Sequence, residues 1–175
     1  LKVSCKVVPA AASYQIYRST KKDGDYQNIK TIDSVGTSSW TDSSVKTGKT
    51  YYYKIKVVVK TQNGNQTSGF SNVKSAKAVP AKTTLKAKAS NAKNVKLTWS
   101  KVKGANGYEI YRSNSKDGKY QKVKTISKGG TTSYKDGKLK KSTTYYYKIR
   151  AYRKVDGKKV YGSYSSVVSV KTKAK

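Results

Sequence analysis

The stretch Thr144-Tyr-Tyr-Tyr-Lys-Ile-Arg-Ala151 alternates along its length. Tyr145, Tyr147, Ile149 and Ala151 fall on one side of an extended chain, and Tyr146, Lys148 and Arg150 fall on the other. A period of two with apolar bodies on one side is the pattern of a half-buried β-strand. The same motif stands 94 positions earlier as Thr50-Tyr-Tyr-Tyr-Lys-Ile55. The same shift, without gaps, lays Tyr14-Gln-Ile-Tyr-Arg-Ser19 on Tyr108-Glu-Ile-Tyr-Arg-Ser113, Lys22-Asp-Gly24 on Lys116-Asp-Gly118, and Lys30-Thr-Ile32 on Lys124-Thr-Ile126. It gives 32 identities in 78 aligned positions. A 94-residue period is too long for a solenoid unit and suits a β-sandwich domain.

The chain is therefore expected to be all-β, with one domain at 1–78, a short linker at 79–84 around Pro80, and a second domain at 85–175. Turn signals such as Asp117-Gly118, Gly129-Gly130 and Asp156-Gly157 separate the strands. The alternation predicts the core. Trp99, Tyr108, Ile110, Tyr147 and Ile149 point inward in the second copy, as do Tyr14, Ile16, Tyr53 and Ile55 in the first. Cys5 stands where the second copy has Trp99. Leu1 aligns with Val95, so the first copy has no counterpart of the strand read at Leu85 to Ala89. Two explanations are open. Either the chain is a piece of a longer polypeptide, or the first copy takes a strand from another chain across an open edge.

Composition removes most enzyme classes. Of 175 residues none is histidine or methionine, one is cysteine and one is glutamate (Glu109). No Ser-His-Asp or Cys-His nucleophile system, no Cys/His zinc site and no internal disulfide can be built. No cofactor, metal or catalytic residue is expected. Asp23-Gly-Asp25 reads as a hairpin turn, since the second copy has Asp117-Gly-Lys119 there. The most apolar stretch, Ile55 to Val59, is far shorter than the roughly 20 residues of a membrane span.

Within this β framework, Trp99, Gly107-Tyr108-Glu-Ile110-Tyr-Arg112, and Leu139 six residues before Tyr145 resemble the fibronectin type III family. So do Tyr145-x-Tyr147-x-Ile149-x-Ala151 and Ser163-Tyr-Ser-Ser166, read as the opening of the last strand. The first copy carries Tyr14 to Arg18, Val45 six before Tyr51, and Gly69-Phe-Ser-Asn72. The resemblance covers nearly the whole chain and implies tandem immunoglobulin-like sandwiches. It also implies that Tyr51 and Tyr145 are structural tyrosine corners fixing the turn into the following strand. The Lys-Asp-Gly-x-Tyr turn and the triple tyrosine are similar to variants in secreted and surface proteins of Gram-positive, gut-type bacteria. An extracellular or cell-wall location is the corresponding expectation.

Lysine and arginine number 39 against 8 acids, a net charge of +31. The charge is uneven, at +9 over residues 1–78 and +22 over residues 79–175. Only four of the cations are arginines, and no RNA- or DNA-binding motif accompanies them, so specific nucleic-acid recognition is not expected. A solvated surface is one reading, and attraction to an anionic wall polymer, glycan or host surface protein is the other. The outward face of the second copy carries Tyr111, Tyr146, Lys148, Arg150, Tyr152 and Arg153. These form either a candidate ligand platform or a brace in which tyrosines cover lysine stems. Glu109 reads as a surface charge partner on that face, worth at most about 1 kcal/mol. The resulting expectation is a non-catalytic spacer or adhesion stalk, attached to other domains of the same polypeptide. The polyanion- or glycan-binding module and the strand-completed assembly stand as alternatives.

Overall fold

The computed structural model describes residues 1–33 and 36–175, and it divides them into two compact units, Leu1–Ala78 and Val79–Lys175. Among the described residues no helix is long and apolar enough to cross a membrane. Each unit is a β-sandwich of antiparallel strands, as the alternation predicts.

The first unit runs β1 (Lys2–Ser4), β2 (Ala11–Ser19), β3 (Gln27–Ile32), β4 (Ser39–Thr41), β5 (Thr50–Thr61), β6 (Gly64–Thr67) and β7 (Lys74–Lys77). Its larger sheet has the order β3-β2-β5-β6, with β7 also on β5, and its smaller sheet is the pair β1-β4. The second unit runs β8 (Leu85–Asn91), β9 (Asn94–Trp99), β10 (Gly107–Ser113), β11 (Gln121–Ile126), β12 (Ser133–Asp136), β13 (Thr144–Val155), β14 (Lys158–Tyr161) and β15 (Val168–Lys171). Its larger sheet is β11-β10-β13-β14, with β15 also on β13, and its smaller sheet is β12-β9-β8. Asp156 (φ 49°) and Gly157 (φ 74°) close the β13–β14 hairpin. Positive φ at both central residues gives the turn the twist that flanking strands require.

In the second unit the inward side chains make a sealed core. Val95, Leu97, Tyr108, Ile110, Tyr147, Ile149 and Ala151 are fully buried, with the Trp99 and Tyr108 rings 5.4 Å apart. Tyr14 and Ile16 are equally buried in the first unit, and Tyr53 nearly so. Ile55 departs from the expectation, being only half-buried. Cys5 supplies less bulk than Trp99, and no described strand of this unit takes the place that β8 holds in the second. An open groove of about 700 Å³ is lined by Val3, Cys5, Tyr14, Tyr53, Ile55 and Val57 among others. Cys5 is half-buried, and burial pushes its thiol pKa up.

Residues 79–84, expected as a linker, lie within the second unit, with Pro80 and Thr83 buried. The Pro80 carbonyl comes so close to Gly162 that a Cβ there would sit 2.4 Å from it. Thr83 also donates to the Ser100 carbonyl (2.6 Å). A second correction concerns Ser163-Tyr-Ser-Ser166, which does not open the last strand but interrupts it between β14 and β15. At the break the Ser165 hydroxyl accepts the Ile149 N–H (3.1 Å), while Ser165 N–H donates to the Ile149 carbonyl (2.7 Å). A serine side chain replaces a main-chain acceptor, and the strand kinks. The first unit repeats the device with Ser68 and Ser71 against Val57 and Ile55.

Candidate functional site

The register of β10 on β13 sets Glu109 directly opposite Arg150 and Tyr111 opposite Lys148, all on the outward face of the larger sheet. Position on an outward face normally means exposure, yet Glu109 is 1% exposed. Its Oε2 accepts from Arg150 Nη2 (2.9 Å) and from the Tyr111 hydroxyl (2.9 Å). Its Oε1 accepts from Lys159 Nζ (3.0 Å) and the Tyr161 hydroxyl (3.2 Å), with Lys122 Nζ at 3.6 Å. Burial alone would raise the Glu109 pKa. The bonds from Arg150, Lys159 and Tyr111, with the Lys122 charge, outweigh it and bring the pKa down to about 2. The expectation of a weak surface pair is thus corrected: Glu109 is the covered hub of a charge-assisted network.

Aromatic rings roof this hub. Arg150 lies 3.7 Å from the Tyr161 ring centroid and 4.9 Å from that of Tyr164. The Tyr111 and Tyr164 rings meet edge to face at 5.2 Å. Lys148 sits between Tyr120 (4.2 Å) and Tyr164 (4.5 Å), and Lys159 lies over Tyr152 (4.5 Å). Each cation on an aromatic face adds about 0.5–1 kcal/mol or more as it loses water.

Of the six residues read as a ligand platform, the structure joins Tyr111, Lys148 and Arg150 in this lattice. Tyr146 lies half-buried near its Tyr120 end. Tyr152 is buried, its hydroxyl donating to the Ile126 carbonyl (3.3 Å) while its ring packs against Tyr161. Arg153 is exposed and turned to Gly104, away from the lattice. Sequence reading missed Tyr120, Tyr161 and Tyr164, which come from a turn, β14 and the strand interruption. The repeat offered a signal for Tyr120 and Tyr164, because Tyr26 and Phe70 stand 94 residues earlier. In the first unit Lys54 lies over both Tyr26 (4.1 Å) and Phe70 (3.7 Å), and Gln15 replaces Glu109.

A second acid cluster occurs in both units. Asp42 Oδ2 accepts from Arg18 Nη1 (2.7 Å) and the Tyr53 hydroxyl (2.8 Å), and Asp136 Oδ2 from Arg112 Nη1 (2.9 Å) and the Tyr147 hydroxyl (2.8 Å). Burial and the bond to Asp136 push the Tyr147 pKa up, out of reach of ordinary pH. Next to these clusters the Tyr51 hydroxyl accepts the Lys46 N–H (3.0 Å) and the Tyr145 hydroxyl the Lys140 N–H (2.9 Å). Arg18 and Arg112 lie over the two tyrosine rings at 5.1 and 5.4 Å.

Neither a scan with protein-family models nor a search of curated proteins gives a match. Among solved structures, the chain is similar to the chicken CNTN1 FN1–FN3 domains (20% identity, TM-score 0.48). That alignment covers 92% of this chain and 56% of that one, so this chain spans about half its length. It is also similar to FN3tt, with 23% identity and a TM-score of 0.45, over 56% of this chain and 99% of the other.

Proposed function

We infer that this chain is a non-catalytic structural module, two fibronectin type III-like sandwiches that act as a spacer or stalk in a secreted or cell-surface bacterial protein. The observation that carries this reading is the engagement of its buried acids. Glu109, Asp42 and Asp136 are all held by internal donors, the last two in the same way in both units. Carboxylates whose oxygens are taken up by arginine and tyrosine donors are poorly placed to exchange protons with a substrate. Glu109 and Asp42 are also held below the usual carboxylate range, away from the working pH a general acid or base needs. The sheet face that could have served as a ligand platform is roofed by its own rings and works as a brace.

The test is the double variant Tyr146→Ala, Arg150→Ala in the full chain, followed by urea denaturation and by binding to neutral glycans. A brace predicts a second unit destabilised by about 2 kcal/mol or more, because the Glu109 carboxylate loses its closest cation. It also predicts no salt-resistant glycan binding in either protein. Salt-resistant binding of one glycan that the variant loses at an unchanged urea midpoint would overturn the reading.

A further inference from the structure

The register of the smaller sheet of the second unit aligns three lysines. Lys135 of β12 stands opposite Lys96 of β9, and Lys96 stands opposite Lys88 of β8. Residues opposite one another share a face, and neighbouring strands lie about 4.8 Å apart, so the three ammonium stems rise side by side. All three are exposed, and none has an acid within ion-pair distance among the described residues. In the next row Lys86 faces Thr98 and Thr98 faces Ser133, which adds a cation and two hydroxyls. A shallow depression of about 270 Å³ on this sheet is lined by Ser90 of β8, Lys96 of β9, and Ser133, Tyr134 and Lys135 of β12.

Like charges directly opposite in a sheet destabilise it, so the row needs a reason. Protection of sheet edges does not supply one. Lysines guard edges from edge strands, and Lys96 lies on the central strand, where no edge needs guarding. The fold does not demand the row either, since in the first unit the equivalent pair is Lys2 opposite Thr41. On the other sheet Arg150, Lys159 and Lys122 share the Glu109 carboxylate, whereas no lysine of the ladder has an acid partner among the described residues.

We propose that this face of the second unit binds a flexible phosphodiester polymer that carries no bases, of the poly(alditol phosphate) type. Lysines bind phosphate as point charges without the fixed fork of arginine, and no arginine lies in the rows described, which suits a flexible chain of repeated charges over one rigidly oriented group. Hydroxyls beside the lysines add donors for phosphate oxygens. Single-stranded nucleic acid would call for outward rings on which bases stack. Tyr134 packs against the core and under Lys124 instead.

The probe is poly(glycerol phosphate), titrated against the full chain over a salt series. Lys88→Gln, Lys96→Gln, Lys135→Gln is compared with a charge-matched control of three exposed lysines elsewhere in the unit, Lys101→Gln, Lys103→Gln, Lys173→Gln. The ladder variant should lose about tenfold in affinity and reduce the slope of log K against log salt by about 2, and the control should lose less than about threefold. The ladder variant should melt no lower than the parent at low salt, which separates lost binding from lost folding. Equal losses in both variants would mean a diffuse lysine field and overturn the proposal. So would equal or tighter binding of single-stranded DNA or of a polyuronate.

Discussion

Exchanging Glu109 for Gln replaces one carboxylate oxygen by an amide and leaves Arg150, Lys159 and Lys122 facing each other across a covered site. Removing one partner of a buried pair costs more than the pair contributes, because the remaining charges stay desolvated. Arg150 and Lys159 retain some solvent contact, at 21% and 30% exposure, so the expected loss is about 2 kcal/mol in place of the full buried value. The urea midpoint followed by Trp99 fluorescence reads it. The pH dependence has a definite sign. Glu109 has a folded pKa of about 2, below its ordinary value of 4.5. Its contribution is thus present above the ordinary value and is lost as pH falls toward 2. The parent midpoint for the second unit should fall more steeply between pH 6 and pH 2.5 than that of Glu109→Gln, and parallel curves would remove Glu109 from the account. Alternation in β10 and β13 made the pairing of Glu109 with the Lys148/Arg150 side legible in the sequence. Its burial was not legible, because Tyr161 and Tyr164 belong to segments whose position depends on tertiary contacts that no local period encodes.

At the scale of the strand, the two tyrosines of β13 that point inward do different work, and hydroxyl removal separates them. The Tyr145 hydroxyl accepts one main-chain N–H, so Tyr145→Phe should cost about 1 kcal/mol. The Tyr147 hydroxyl donates to the Asp136 carboxylate, and bonds to charged groups are stronger, so Tyr147→Phe should cost about 2 kcal/mol. Urea midpoints of the two variants give the order, and equal losses would mean that the Asp136 bond is no stronger than a neutral one. The repeat makes the same comparison available in β5 with Tyr51 and Tyr53. Strands with a clean period of two, such as β9, β10 and β13, were legible from sequence. The final strand was not, because the serine that breaks it looks like any polar residue of an alternating strand. Only the bond from Ile149 N–H to Ser165 Oγ reveals its part.

For the molecule as a whole, duplication in sequence does not carry over into equal stability. The second unit seals its core with Trp99, whereas the first has Cys5 in its place, and Ile55 and Val57 stay half-buried there. Missing contacts of the size of one large aromatic side chain correspond to about 3 kcal/mol in a core. The first unit should therefore give way at lower urea. Each unit holds one tryptophan, Trp40 and Trp99, so fluorescence can report both. Two-state behaviour is a property of single domains, and two successive transitions are expected for the intact chain. Trp40→Phe should abolish the signal of the earlier transition and leave the later one at its original midpoint. If the remaining Trp99 signal instead changes at the lower urea concentration, the smaller core residue Cys5 of the first unit carries no penalty and the asymmetry in core packing does not set the order of unfolding.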